Sequence, residues 1–244
     1  MATQLAIVNK ILRRLREDEV SAITVGNYSA LIATFVNEAK EELEDMRFWA
    51  VNIQSIDTSI LADGTLEYDL TDTTDRSFLL RHHQDVVPVA YDVTAGEERQ
   101  LFDMSMIERT RIRETWSGTP PTSAAPQYFA IQPDSDGRGY TLALLYGSDT
   151  ARTWRTYWYL PQAELAVDGT ADDTGIVLPA RPIELRALWL AANERGEEMG
   201  MPGSMLEKQA LDSAAAAMEI DMQVNKNSSE DITNLEMLRT HANR

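Results

Sequence analysis

The sequence has 244 residues, 43% of them hydrophobic, no cysteine, and a formal net charge of −17. That length supports one large domain or two small ones. The absence of cysteine excludes disulfides and thiol chemistry, and the acidity excludes the basic footprint of a protein that grips nucleic acid.

The opening MATQLAIVNKILRRLRE places its arginines after apolar residues at helical spacing, which is not the order of a signal peptide. No apolar run approaches the roughly 20 residues that span a bilayer, so no membrane partner is expected. Residues 4–17 are expected as a helix, with Leu5, Val8, Leu12 and Leu15 on one stripe. Residues 28–47 form the clearest helical pattern: Tyr28, Ile32, Phe35, Val36, Ala39, Leu43 and Met46 recur at three- and four-residue steps. The acidic run EAKEELED lies mostly on the opposite face and reads as solvated.

At Trp49 the period changes from about 3.6 to 2. FWAVNIQSI, ADGTLEYDL and QDVVPVAYDV read as strands, with Asp63-Gly64 as a turn signal and Pro88 marking an edge or a bulge. Ser105 and Glu108 have capping-box spacing ahead of a short helix. QYFAIQ, GYTLALLYG and TWRTYWYL follow as successive strands, and VDGTADDTG as an acidic loop. The helical period returns at 182–199, with Pro182 in the first turn, and at 204–225, where Ser204 and Glu207 repeat the capping-box spacing. NKNSSED is a polar linker, and ITNLEMLR is a short amphipathic tail that cannot fold alone.

These elements predict an α+β fold. Residues 1–48 and 179–225 supply four helices that satisfy one another as a four-helix bundle. Residues 49–178 form a β-rich, sandwich-like insertion, and 226–244 an extended C-terminal arm. The charge follows this division: −2 for 1–48, −11 for 49–178, −4 for 179–225 and zero for 226–244.

The strand TWRTYWYL poses a question. Trp154, Thr156, Trp158 and Leu160 belong to one face, and Arg155, Tyr157 and Tyr159 to the other, so aromatics occupy both. A half-buried strand would alternate apolar with polar. Burial of both faces inside one sandwich is one answer.

No constellation for chemistry is found. His82 and His83 are adjacent and point apart on a strand, and His241 lies in the tail. DSDG at 134–137 starts like a calcium loop, but Gly137 comes at the fourth position instead of the sixth, so a hairpin turn is the reading. GRG and GTPP lack the lysine and the strand–helix context of phosphate loops, and there is no Gly-x-Ser-x-Gly. No enzyme activity, cofactor or metal is expected. What remains is interaction: 18 of the 22 basic residues are arginine, and Arg, Trp, Tyr and Met are enriched at protein interfaces. GC-rich coding gives the same arginine bias.

Three stretches give the arrangement a resemblance. LAIVNKILRRLREDEVSAIT…YSALIATFVNEAKEELEDMRFWA pairs a first helix with a long acidic one that ends in the tryptophan opening the β region. PQYFAI…YTLALLYG…TWRTYWYLP is the strand series, and IVLPARPIELRALWLAANERGEE enters the third helix from a proline-flanked strand end. Together they resemble the head-to-tail adaptor proteins of tailed bacteriophages, the connector or tail tubular (gatekeeper) proteins. The resemblance implies a structural virion protein at the neck, assembled in the host cytoplasm. It would form a dodecameric ring between the portal protein and a tail or nozzle protein. The genomic DNA would pass through the ring without specific binding. A neighbouring subunit would then cover the second aromatic face, making Trp154, Tyr157, Trp158 and Tyr159 subunit-interface candidates. The tail would reach the portal or a neighbour through Ile232, Leu235, Met237, Leu238 and Arg239. Glu97, Glu98, Asp172 and Asp173 would line an acidic channel that neutralises no phosphates. The competing expectations are another virion part, such as a tail terminator or fibre-attachment protein, and a soluble β-sandwich enzyme or sugar-binding protein.

Overall fold

The computed structural model describes residues 1–70, 73–74, 76–80, 90–94, 99–116, 118, 121–134, 139–196 and 203–225. Among them the fold is mixed α+β. The helices are α1 (Gln4–Arg14), α2 (Asn27–Asp45), α3 (Met106–Glu114), α4 (Ala180–Arg195) and α5 (Gly203–Asn225). The strands are β1 (Ala2–Thr3), β2 (Ile53–Ile60), β3 (Glu67–Leu70), β4 (Phe78–Leu79), β5 (Ala90–Asp92), β6 (Arg99–Gln100) and β7 (Phe102–Asp103). They continue with β8 (Thr122–Ser123), β9 (Tyr128–Pro133), β10 (Tyr140–Leu144), β11 (Gly147–Ser148), β12 (Arg152–Tyr159) and β13 (Gly175–Ile176). The chain divides into two compact units, Met1–Asn52 with Gln162–Arg244, and Ile53–Pro161.

In the first unit, α1, α2, α4 and α5 contribute to one hydrophobic cluster. α2 packs on α1 and α4, and α4 packs on α5. The Thr3 hydroxyl caps α1 by accepting from the Ala6 amide at 3.3 Å. The buried stripe of α1 is Ile7, Val8, Ile11 and Leu12, with Leu15 just beyond it, so Leu5 lies at its margin and not at its centre. The helix stops at Arg14 and not at residue 17, because Arg16 takes a left-handed φ of 60°. α5 starts at Gly203, which places Ser204 inside the first turn instead of at the cap. Glu207 instead faces Arg186 at 3.7 Å.

Two boundaries differ from the expectation. Trp49 does not begin a strand. A 3₁₀ turn covers Ala50–Asn52, and the indole of Trp49 lies in the helical core, donating to the Leu43 carbonyl at 2.7 Å. Residues 162–178, expected in the β region, pack against the helices: Leu165, Ala171, Ile176 and Leu178 join the same cluster. The side chains of α2 explain why. Asn37 exchanges two hydrogen bonds with the backbone of Leu165, at 2.7 and 3.2 Å. Lys40 donates to the carbonyls of Gln162 and Ala163, and Glu44 accepts from the Gln162 amide at 2.9 Å. These three residues give the extended segment the hydrogen bonds that a neighbouring strand would otherwise supply. Further on, β13 pairs antiparallel with β1.

The second unit holds a five-stranded sheet of order β2-β12-β5-β6, with β4 also pairing β12, and a four-stranded sheet of order β3-β10-β9-β7. Both sheets feed one core. Trp154 and Trp158 of β12 are fully buried, meeting Phe129 of β9 edge-on at 6.1 Å and Tyr140 of β10 at 5.5 Å. Ser105 caps α3 as its spacing predicts, accepting from the Glu108 amide at 3.1 Å. Arg109 of α3 is buried and donates to the Leu144 carbonyl at 2.9 Å. β11 and β8 form a short parallel pair. There Gly147 runs so close to Gly64 that a Cβ would meet the Gly64 carbonyl oxygen at 2.6 Å, so the position requires glycine.

Candidate interaction surfaces

The alternation of β12 sorts its side chains as its sequence predicts, and the burial answers the question of its second face. Trp154, Thr156 and Trp158 point into the core of their own unit. Tyr159, on the opposite face, is also buried and stacks on Phe78 with ring centres 5.0 Å apart. Of the four interface candidates, only Tyr157 is half-buried. Trp154, Trp158 and Tyr159 already have packing partners inside the chain, because two sheets share one core and β4 pairs alongside the end of β12.

The outer face of the five-stranded sheet is therefore narrower and more polar than the sequence suggests. Arg155 lies opposite Asp57 on one side and Tyr91 on the other, and Tyr157 lies opposite Ser55. The Arg155 guanidinium donates to both Asp57 carboxylate oxygens, each at 2.7 Å. This two-pronged pairing holds the Asp57 carboxyl below the usual carboxylate range and raises the guanidinium in turn. Tyr91, Arg155 and Tyr157 form a face of the residue types that anchor protein contacts.

Among the described residues, the same sheet ends in an unpaired edge at β2. The Thr153 and Tyr157 carbonyls accept from the Val93 and Leu80 amides, both at 2.9 Å, so alternate residues of β12 turn their backbone toward β5 and β4. Trp154, Thr156 and Trp158 must then face β2, through Thr58, Ile56 and Gln54. That leaves the backbone groups of Ile53, Ser55, Asp57 and Ser59 pointing away from the sheet. β2 carries neither lysine nor proline, the usual protection of an edge strand.

The first unit presents an apolar groove of about 470 Å³. Trp49, Val51, Ile176, Leu178, Ala217 and Ile220 form its walls. Its mouth is apolar too: Ile220 is 64% exposed, Val51 43% and Met1 90%. Asp221 is the one charged side chain in the lining, and Arg47 pairs with it at 3.0 Å. Arg47 also donates to the Met218 carbonyl at 2.9 Å, so it ties the end of α2 to α5 beside the groove. A smaller hollow of about 110 Å³ lies where α2, α4 and α5 meet, rimmed by Glu42, Arg186 and Glu207. Arg186 spans it, holding Glu42 through two bonds at 2.6 and 3.0 Å and lying over the Trp189 ring at 4.2 Å.

The channel candidates separate. Asp173 is exposed. Asp172 is buried, and its carboxylate accepts from the Ile23 amide at 3.2 Å while its backbone carbonyl accepts from the Leu5 amide. It ties the acidic loop to the N-terminal helices and faces no open space. Glu97 and Glu98 lie outside the described residues, as do Ile232, Leu235, Met237, Leu238 and Arg239. The apolar groove escaped sequence reasoning because its walls come from four separate places in the chain. Only the exposure pattern Val51, Ile220 and Met1 reveals it.

Among the described residues, no group of three or more His, Asp and Glu is placed to hold a metal ion, and no helix is long and apolar enough to cross a membrane. The family model described as SU10 adaptor protein matches residues 2–233 of the sequence. No curated protein matches it.

Proposed function

Since the chain belongs to the SU10 adaptor protein family, a family of structural phage adaptors and not of enzymes, we propose that it is the head-to-tail adaptor of a tailed phage. In this reading it forms a closed, dodecameric ring at the virion neck, between the portal protein and a tail or nozzle protein, and the genome passes through the ring's centre. The observation that carries the reading is the family match over nearly the whole chain. The helices of 1–48 and 179–225 act as one bundle, the β-rich unit as the lobe that meets neighbours, and residues 226–244 as an arm that contacts another chain. The acidity supports free passage of DNA. A wall of net negative charge releases no counterions from the duplex and so gains no affinity for it. Asp173, with Glu97 and Glu98, is the channel-facing set in this proposal, and Asp172 serves the fold.

Mass photometry and electron microscopy of the purified protein, alone and mixed with its portal, test the reading. Closed rings that stack coaxially on the portal are expected. A protein that stays monomeric in both samples overturns it.

A further inference from the structure

We propose that the apolar groove beside Trp49 receives residues Ile232–Leu238 of a neighbouring copy, an assignment that rests on the ring reading above. The groove needs an aliphatic guest. Its volume of about 470 Å³ is that of a binding site and not of a packing defect. The apolar side chains at its mouth stay in water until something covers them. Its one charged lining side chain, Asp221, is engaged by Arg47, and the remaining side chains of the lining are apolar.

The sequence beyond α5 offers a guest of that chemistry. Ile232, Leu235 and Leu238 recur at three-residue steps, after a polar leash of Lys226–Asp231. Six residues of leash reach roughly 20 Å. The leash starts where α5 ends, and α5 itself supplies Ala217 and Ile220 to the groove wall. The helix runs on for about 7 Å past Ile220 before the leash begins, so the leash starts close to the groove and is long enough to leave it for a neighbour's. In a head-to-tail ring every copy offers one groove and one tail, so the exchange closes with none left over.

Charge selects the same pair of surfaces. Each copy carries −17, and copies repel one another through most of their surface. Residues 226–244 carry three basic and three acidic side chains, making them the neutral section of the chain. The guest stretch Ile232–Leu238 carries a single charge, Glu236, so it joins two anionic copies with little added repulsion.

The chain contains no cysteine, so an engineered pair reports alone. Ile220→Cys with Leu235→Cys is made in the full-length protein, oxidised, and run on a non-reducing gel. A control pairs Leu235→Cys with Ile107→Cys, a residue 83% exposed on α3. The expected result is a ladder of covalent multimers forming at least about ten-fold faster than in the control, because seating in the groove raises the local thiol concentration. A faster-migrating monomer shows the tail in its own groove and overturns the proposal. So does a ladder no faster than the control, or none. Val51→Cys replaces Ile220→Cys if the latter shifts the thermal transition. Mass photometry of the same sample counts rings independently: rings without a groove-specific ladder sink this assignment and leave the adaptor reading standing.

Discussion

Lys40 shows where reading by pattern stops at the scale of single residues. Its run, EAKEELED, looks like a solvated face, and Glu38 within it is exposed. Yet Lys40 and Glu44 are buried, 3.9 Å apart, with Asn37 beside them on the same side of α2. Spacing does place 37, 40 and 44 on one helical face. What the sequence omits is that this face meets the backbone of 162–165, whose amides and carbonyls need polar partners. Removing the ammonium leaves the Glu44 carboxylate and two carbonyls without it in a dry interior. Lys40→Ala should therefore cost about 3–5 kcal/mol, lowering the melting temperature by roughly 10 °C for a chain of this size. Lys208→Ala, at an exposed position, should stay within about 0.5 kcal/mol of the parent. Chemical denaturation of both measures the difference, and an equal, small loss for the two would show that Lys40 does not hold the segment.

Among the elements, β12 was legible and its surroundings were not. Strict alternation fixed which side chains share a face, and burial follows it from Trp154 to Trp158. The cover over each face comes from strands far away in sequence, Phe129 and Tyr140 on one side and Phe78 on the other, and alternation carries no information about partners. The same limit explains residues 162–178. The start of this segment, at 162–165, lies against helix α2, and only Gly175–Ile176 pairs as a strand, with β1. The open edge of β2 can be tested at two adjacent, exposed positions. Ser55 turns its amide outward and Gln54 turns its amide toward Trp158. Ser55→Pro should remain within about 1 kcal/mol of the parent, as proline does on the free side of an edge strand. Gln54→Pro loses a ladder bond and should cost about 1–3 kcal/mol more. If the order is reversed, the open side of β2 has been assigned to the wrong residues.

For the whole molecule, charge sets the conditions under which copies would meet in the proposed ring. The −17 is uneven, with −11 in residues 49–178 and none in 226–244, and this much is plain from the sequence. The sequence does not reveal that much of the surviving ionic contact is spent inside the chain. Glu184 gathers Lys10, Arg14 and Arg181, Arg186 holds Glu42, and Arg155 holds Asp57. Among the described residues most lysines and arginines already have an acidic partner within the chain, which makes ion pairs a poor source of attraction between copies. In the proposed ring, association would then come from apolar burial working against a net repulsion. Salt weakens the repulsion and leaves the burial intact. The fraction of protein in rings should therefore rise as sodium chloride goes from about 50 mM to about 500 mM, where the Debye length falls from roughly 14 Å to roughly 4 Å. Mass photometry at fixed protein concentration reads that fraction directly. Rings that fall apart as salt rises would mean that ion pairs between copies, and not apolar contacts, hold the assembly.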